Sequence, residues 1–272
     1  MARHYDRCVE YTDYARRILS YTSLADVAEY GRVVEAGKDY PLFRLTVPGS
    51  RWLVITSGFH GEEPAGPLTL AESFAEIVAY AKARDVGLRV YPCINPSGFE
   101  VGTRYNRSEE KPNNDFLRYE VTPGVWKGEL TREESFQRWV LYDGGPKETR
   151  AVRADIDRFA PPAAALDIHQ DNYLPQAATY AYTFGDSAAY RPLMEAAAAH
   201  VAVIRHQKVD ENHHTDADGL IVSHDGSVTD YFTRRGVPYT SALETTTRTP
   251  LASCHAVNLI WIRGFIDLAA RG

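Results

Sequence analysis

The feature that most constrains this chain is an alternation along its length between short apolar runs and longer segments of helical period. Runs at 32–35, 42–47, 52–57, 88–94, 163–168, 179–184 and 239–243 read as strands. Most of them lack a clean two-residue alternation, which is what strands covered on both faces require. Between them, 5–20, 65–83, 148–159, 188–201, 228–235 and 252–270 carry apolar residues at three- and four-residue intervals and read as helices. Strand and helix in turn predict an α/β fold: a central mixed, mostly parallel twisted sheet with helices on both faces.

With 272 residues, 44% of them apolar and 24% charged, the chain has material for one large core, and no composition shift divides it; 1–272 reads as a single domain. A formal charge of -6 with no dense basic run argues against a nucleic-acid or anionic-membrane partner, since either needs a concentrated positive field. The opening MARHYDRCVEYTDYARR is charged throughout and lacks the apolar core of a signal peptide. No later run approaches the roughly 18 apolar residues of a membrane span. The expectation is a cytoplasmic protein. Cys8, Cys93 and Cys254 are too few and too scattered for a disulfide framework and read as buried thiols.

Two segments break the alternation. Positions 103–147 are rich in charge, Asn and Pro, carry Tyr and Trp without a sustained period, and read as long decorated loops. Positions 209–226, VDENHHTDADGLIVSHDG, form the second. Loops of that length in a compact domain are usually functional.

Four of the apolar runs lead into polar residues: WLVITSGF into His60, LRVYPCI into Asn95, AAALDI into His169 and PYTSAL into Glu244. In open α/β sheets ligands bind beyond the carboxyl ends of the strands, so such residues converge although far apart in sequence. His60 and Glu63 lie three residues apart in HGEEPAG, at a glycine-flanked turn entering a helix, and can face one point. Two imidazoles and one carboxylate suit zinc, which binds such donors at roughly 2.0–2.2 Å and keeps a fourth position open for hydrolysis. His169 supplies the second imidazole. Either histidine alone is as easily an ordinary one; it is their joint placement at strand ends that points to a metal. Glu62 reads as a solvated carboxylate, and either Asp167 or Asp171 can orient the His169 ring. Glu244, ending an apolar strand, is the candidate general base. His213 and His214, adjacent on a polar loop, read as solvated, with a second metal site beside Asp210, Glu211 and Asp216 the lesser reading.

HGEEPAG, NPSGFEVGTRYN, LDIHQD and ALET, in that order, resemble the zinc carboxypeptidase superfamily, which includes murein peptide amidases and the succinylglutamate desuccinylase and aspartoacylase branch. The resemblance covers most of the chain and implies one zinc ion held by His60, Glu63 and His169, with Glu244 as base. It implies that Arg104 polarises the scissile carbonyl, and that Asn113, Asn114, Asn106 and His224 contact substrate. GSVTDY, with Gly226, Ser227 and Asp230, resembles the segment before the family's last strand.

Two departures bear on substrate. Where carboxypeptidases read Asn-Arg, the arginine gripping a terminal carboxylate, this chain reads KPNNDF, so Asn113 matches and Asn114 replaces the arginine. Arg107, Lys111 and Arg118 of the same loop are alternatives for that grip. The tyrosine expected before GSVTDY is missing, and His224 stands in that stretch. The expectation is a zinc-dependent hydrolase of an amide bond in a small peptide or N-acyl amino acid. An N-acyl amino acid deacylase or esterase is the alternative within enzymes, and a metal-free binding module on the same fold the alternative outside them.

Overall fold

The structure is a computed structural model that describes residues 10–131 and 134–271. In chain order its elements are α1 (Tyr11–Leu19), β1 (Asp26–Glu35), β2 (Lys38–Val47), β3 (Arg51–Ser57), α2 (Ala65–Lys82), β4 (Val86–Tyr91), α3 (Pro96–Val101), β5 (Leu117–Thr122), β6 (Val125–Lys127), β7 (Arg138–Leu141), α4 (Lys147–Ile156), β8 (Ala164–Asp171), β9 (Ala178–Phe184), α5 (Arg191–Ala197), β10 (Ala202–Val203), β11 (Leu220–Ile221), α6 (Val228–Arg234), β12 (Tyr239–Thr246) and α7 (Leu251–Arg271).

The absence of alternation in the apolar runs has the predicted cause. Every residue of β4 and of β8 is buried, because the sheet is covered on both sides. Leu53 and Ile55 of β3 pack on one face with Leu70 and Phe74 of α2 and Trp261 and Phe265 of α7. Val54, between them in sequence, packs on the other face with Val152 and Ile156 of α4 and Tyr231 and Phe232 of α6. Each large apolar side chain enclosed in this way contributes on the order of 2–3 kcal/mol by leaving water.

The main sheet runs β1-β2-β4-β3-β8-β12-β9-β10, with β11 also paired to β9. Its centre, β4-β3-β8-β12, is parallel throughout. The outer pairs β1/β2, β2/β4 and β12/β9 are antiparallel, and β10 and β11 return to parallel on β9. The sheet is therefore mixed and mostly parallel, as expected, and the carboxyl ends of the four central strands share one edge.

The structure corrects the sequence reading in two places. Positions 103–147 contain a three-stranded antiparallel sheet, β6-β5-β7. With strands of three to six residues, it is too short for any period to show. The helix read over 188–201 shrinks to α5, preceded by a single 3-10 turn and opened by Pro192 in its first turn. The helix read over 5–20 is observed from Tyr11; its first positions, with Cys8, lie outside the described residues. Cys93 and Cys254 are buried, as read. No helix among the described residues is long and apolar enough to cross a membrane.

Candidate metal centre

His60 reaches the sheet edge through a turn that only glycine permits. After β3 ends, Gly58 takes φ +67, a left-handed conformation that costs other residues about 1 kcal/mol or more. Gly61 is needed for a different reason. A Cβ there would lie 1.9 Å from the carbonyl carbon of Gly98 and 2.2 Å from the nitrogen of Phe99, so the glycines of HGEE and NPSG are the two sides of one backbone contact. Asn95 completes the joint. Its Oδ1 accepts from the Gly98 N–H at 2.9 Å and caps α3, while its Nδ2 donates to the carbonyls of Phe59 at 3.2 Å and Arg104 at 3.4 Å. One asparagine thus ties the His60 segment to the Arg104 segment.

Glu63 follows within a single turn, its N–H donating to the His60 carbonyl at 3.2 Å. The two oxygens of its carboxylate are divided between two imidazoles. His60 Nδ1 lies 2.7 Å from Oε1 and His169 Nδ1 lies 2.7 Å from Oε2. The backbone N–H of Gln170 and the Nη1 of Arg104 also donate to Glu63, at 3.1 and 3.0 Å. His169 Nε2 faces Asp167 Oδ2 at 2.7 Å. A carboxylate only accepts, so both ring nitrogens donate here; with an ion bound, the Asp167 contact would keep the proton on Nε2 and free Nδ1 as the metal donor. Asp167 is itself held by Thr56 Oγ1 at 2.8 Å. Asp171 is spent elsewhere, accepting from the Tyr173 and Leu174 N–H groups and the Tyr180 hydroxyl. Of the two aspartates left open by the sequence, Asp167 orients the ring.

Burial and partners pull the charges of this cluster in different directions. Burial lowers the His60 pKa to about 4, Glu63 only partly opposing it. For His169 burial also acts downward, but Asp167 and Glu63 together outweigh it and raise its pKa well above the ordinary imidazole range. Burial would raise Glu63, yet the facing imidazoles hold it well below the usual carboxylate range. His60, Glu63 and His169 are buried, and three of their donor atoms lie within 4.8 Å of one another. Two nitrogens and a carboxylate gathered this closely, out of water, fit a divalent ion of the zinc class.

Glu244 enters the same cleft from β12. It is the register partner of His169 on β8, and its Oε2 is buried without a hydrogen-bond partner. Burial raises its pKa well above the ordinary value, against the pull of His169. Arg104 lines the cleft too, its Nη1 lying 3.4 Å from Glu62 Oε1 as well as on Glu63. Glu62 is also engaged by Asn172 Nδ2 at 2.6 Å and stays outside the three-donor cluster.

The cleft holds about 350 Å³ and brings together His60, Glu63, His169, Glu244, Arg104, Asn113 and Asn114. Asn113 adopts φ +108. Its Oδ1 accepts from the Val228 N–H at 3.2 Å and its Nδ2 lies 3.3 Å from His169 Nε2. Asn114 Nδ2 donates to Asp225 Oδ2 at 3.0 Å.

Asn106 and His224, expected to meet substrate, are not among the residues that line the cleft. Asn106 is consumed by its own loop: its Nδ2 donates to Glu110 and Glu148, and its Oδ1 accepts from the Ser108 and Glu110 N–H groups. His224 is held by Asp230 at 3.0 Å and Arg234 at 2.9 Å. The Asp230 of GSVTDY likewise anchors structure, accepting from Tyr119 and the Gly226 N–H.

Several cleft residues escaped the sequence reading. Tyr180 and Tyr182 of β9 and Asp225 all line it. So does His213, whose Nδ1 faces Asp210 at 2.8 Å and whose Nε2 faces Ser223 Oγ at 2.8 Å; it is built in, not solvated as read. The alternating small and large residues of 178–184 were a signal for one cleft-facing side of β9; the loop residues offered none.

No family model matches the sequence, and no curated protein matches it. Solved structures do. The chain is similar to a candidate metallopeptidase from Shewanella amazonensis, at 24% identity over 96% of this chain and 95% of that one, with a TM-score of 0.73. It is similar to a metallo-carboxypeptidase from Burkholderia cenocepacia, at 16% identity over 94% and 68% of the two chains, TM-score 0.64. Bovine thrombin-activatable fibrinolysis inhibitor, solved with a tick carboxypeptidase inhibitor, matches at 15% identity over 96% and 94%, TM-score 0.65.

Proposed function

We propose that this chain, which has the metallo-carboxypeptidase fold, is a zinc-dependent hydrolase that cleaves an amide bond in a small peptide or N-acyl amino acid. One observation carries the reading: two buried imidazoles converge on the two oxygens of Glu63, beside a Glu244 carboxylate that has a buried, unpaired oxygen and faces the same cleft.

His60, Glu63 and His169 would hold the ion, with Asp167 keeping the His169 proton on Nε2 so that Nδ1 stays a donor. A zinc ion there supplies a lowered water pKa and polarisation of the scissile carbonyl. Glu244 takes the proton from the attacking water and returns it to the departing nitrogen. Its enclosure raises its basicity above that of an exposed carboxylate. Arg104 presents a permanently charged guanidinium to the carbonyl oxygen as negative charge develops there; comparable donors contribute about 3 kcal/mol.

Asn114 favours the deacylase variant of this reading, because its amide is engaged by Asp225 where an arginine would offer a bidentate grip.

Elemental analysis of the purified wild type, His60→Ala and His169→Ala tests the core of the proposal. About one zinc per chain in the wild type and its loss in both variants is the expected result. Zinc retained in both variants would remove the site, and an empty wild type would favour a binding module.

A further inference from the structure

Lys111 differs from the other basic residues of its loop. Its side chain is partly buried and lines the cleft with His60, Glu63 and Glu244. No ion pair or side-chain hydrogen bond engages its ammonium among the described residues. Arg118 is already committed: it donates to Asp115 at 2.9 Å and to the carbonyls of Asn114 and Leu117, and it lies over the Tyr142 ring at 3.8 Å. Arg107 is exposed and outside the cleft lining. Of the three loop cations open to a substrate anion by sequence, the fold delivers one to the site.

Three anions of the cleft, Glu63, Asp225 and Asp210, are engaged by other groups, while Glu244 keeps one oxygen unpaired. Glu63 is taken by His60, His169 and Arg104. Asp225 accepts from Asn114 Nδ2 at 3.0 Å and from the Ser227 N–H at 3.0 Å, and Asp210 accepts from His213. Asp225, Glu63 and Asp115 favour the charged form of Lys111, yet burial and the nearby Arg104 prevail and lower its pKa. A half-buried cation without a protein acceptor loses part of its hydration, and an anion entering the cleft would offset that loss.

We infer that Lys111 is a specificity-determining residue whose ammonium binds a free carboxylate on the amino-acid portion of the substrate, the role that Asn114 cannot fill. The identity of the substrate rests on the hydrolase reading; the anion site itself does not.

The test compares binding of N-benzoylglycine and its primary amide, by calorimetry, to the protein as purified and to Lys111→Gln and Lys111→Arg. A charge-assisted contact predicts that the acid binds about tenfold more tightly than the amide in wild type and Lys111→Arg. In Lys111→Gln the preference should fall to within about twofold, with amide binding and bound metal unchanged. No acid preference in the wild type overturns the assignment. So does a preference undiminished in Lys111→Gln, which would put the carboxylate on the metal or on Arg104. Turnover of N-acyl amino acids is followed alongside: if no protein cleaves any amide, the hydrolase reading fails while the binding comparison still decides Lys111.

Discussion

Glu244 and His169 are register partners on the adjacent parallel strands β12 and β8. Their side chains therefore leave the sheet on the same face, and the backbone ladder, not a loop, sets their separation. The proposed base and one proposed metal ligand are thus held by two hydrogen-bonded central strands of the sheet.

That backbone placement makes Glu244→Gln a clean probe. The amide keeps the shape but cannot take a proton, so turnover should fall about 10²- to 10⁴-fold. Bound metal should stay at the wild-type level by elemental analysis. Loss of metal in step with activity would instead make Glu244 a ligand.

In the proposed site Asp167 would act on the metal through His169. Asp167→Ala removes the acceptor that holds the Nε2 proton, and metal affinity, measured by competition with a chelator, should drop about 10- to 100-fold. An unaltered affinity would mean that the ring is oriented by packing on Phe59, with which it stacks at 6.2 Å.

The Gly61 contact predicts a stability effect far larger than its size. Gly61→Ala drives a Cβ into the Gly98 and Phe99 backbone and should cost about 3 kcal/mol in denaturant unfolding. Gly31→Ala is the control. Its Cβ meets Ala151 at an ordinary 3.4 Å, and the change should stay within about 1 kcal/mol. Equal losses in both would remove the argument from close approach.

Glu148 predicts a pH dependence. Burial is the main cause that raises its pKa to about 7, with Glu35 adding and Asn106 opposing. The unfolded carboxyl titrates near about 4.3. Between these values the folded chain keeps a proton that the unfolded chain has lost, so stability falls as pH rises through this window and levels off above it. The loss is on the order of 3–4 kcal/mol. Glu148→Gln should flatten the profile between pH 4.5 and 7 in urea unfolding. A wild-type profile already flat there would show that the acid ionises without penalty.

The sequence determined much of this protein by itself. Strands buried on both faces must be apolar throughout, so β3, β4, β8 and β12 were legible as runs, and the polar residues ending them marked one edge of the sheet. Spacing placed His60 and Glu63 together because three residues span a single turn. Only the tertiary structure decided matters that depend on what a side chain meets across the fold. It chose Asp167 over Asp171, engaged Asn106 and His224 in their own surroundings, and turned His213 into a built-in cleft residue. It also left Lys111, alone among three equivalent loop cations, facing the site. Periodicity records which face of an element is buried, but the partner of a polar group on an irregular loop is set by contacts between distant segments, and those leave no local pattern.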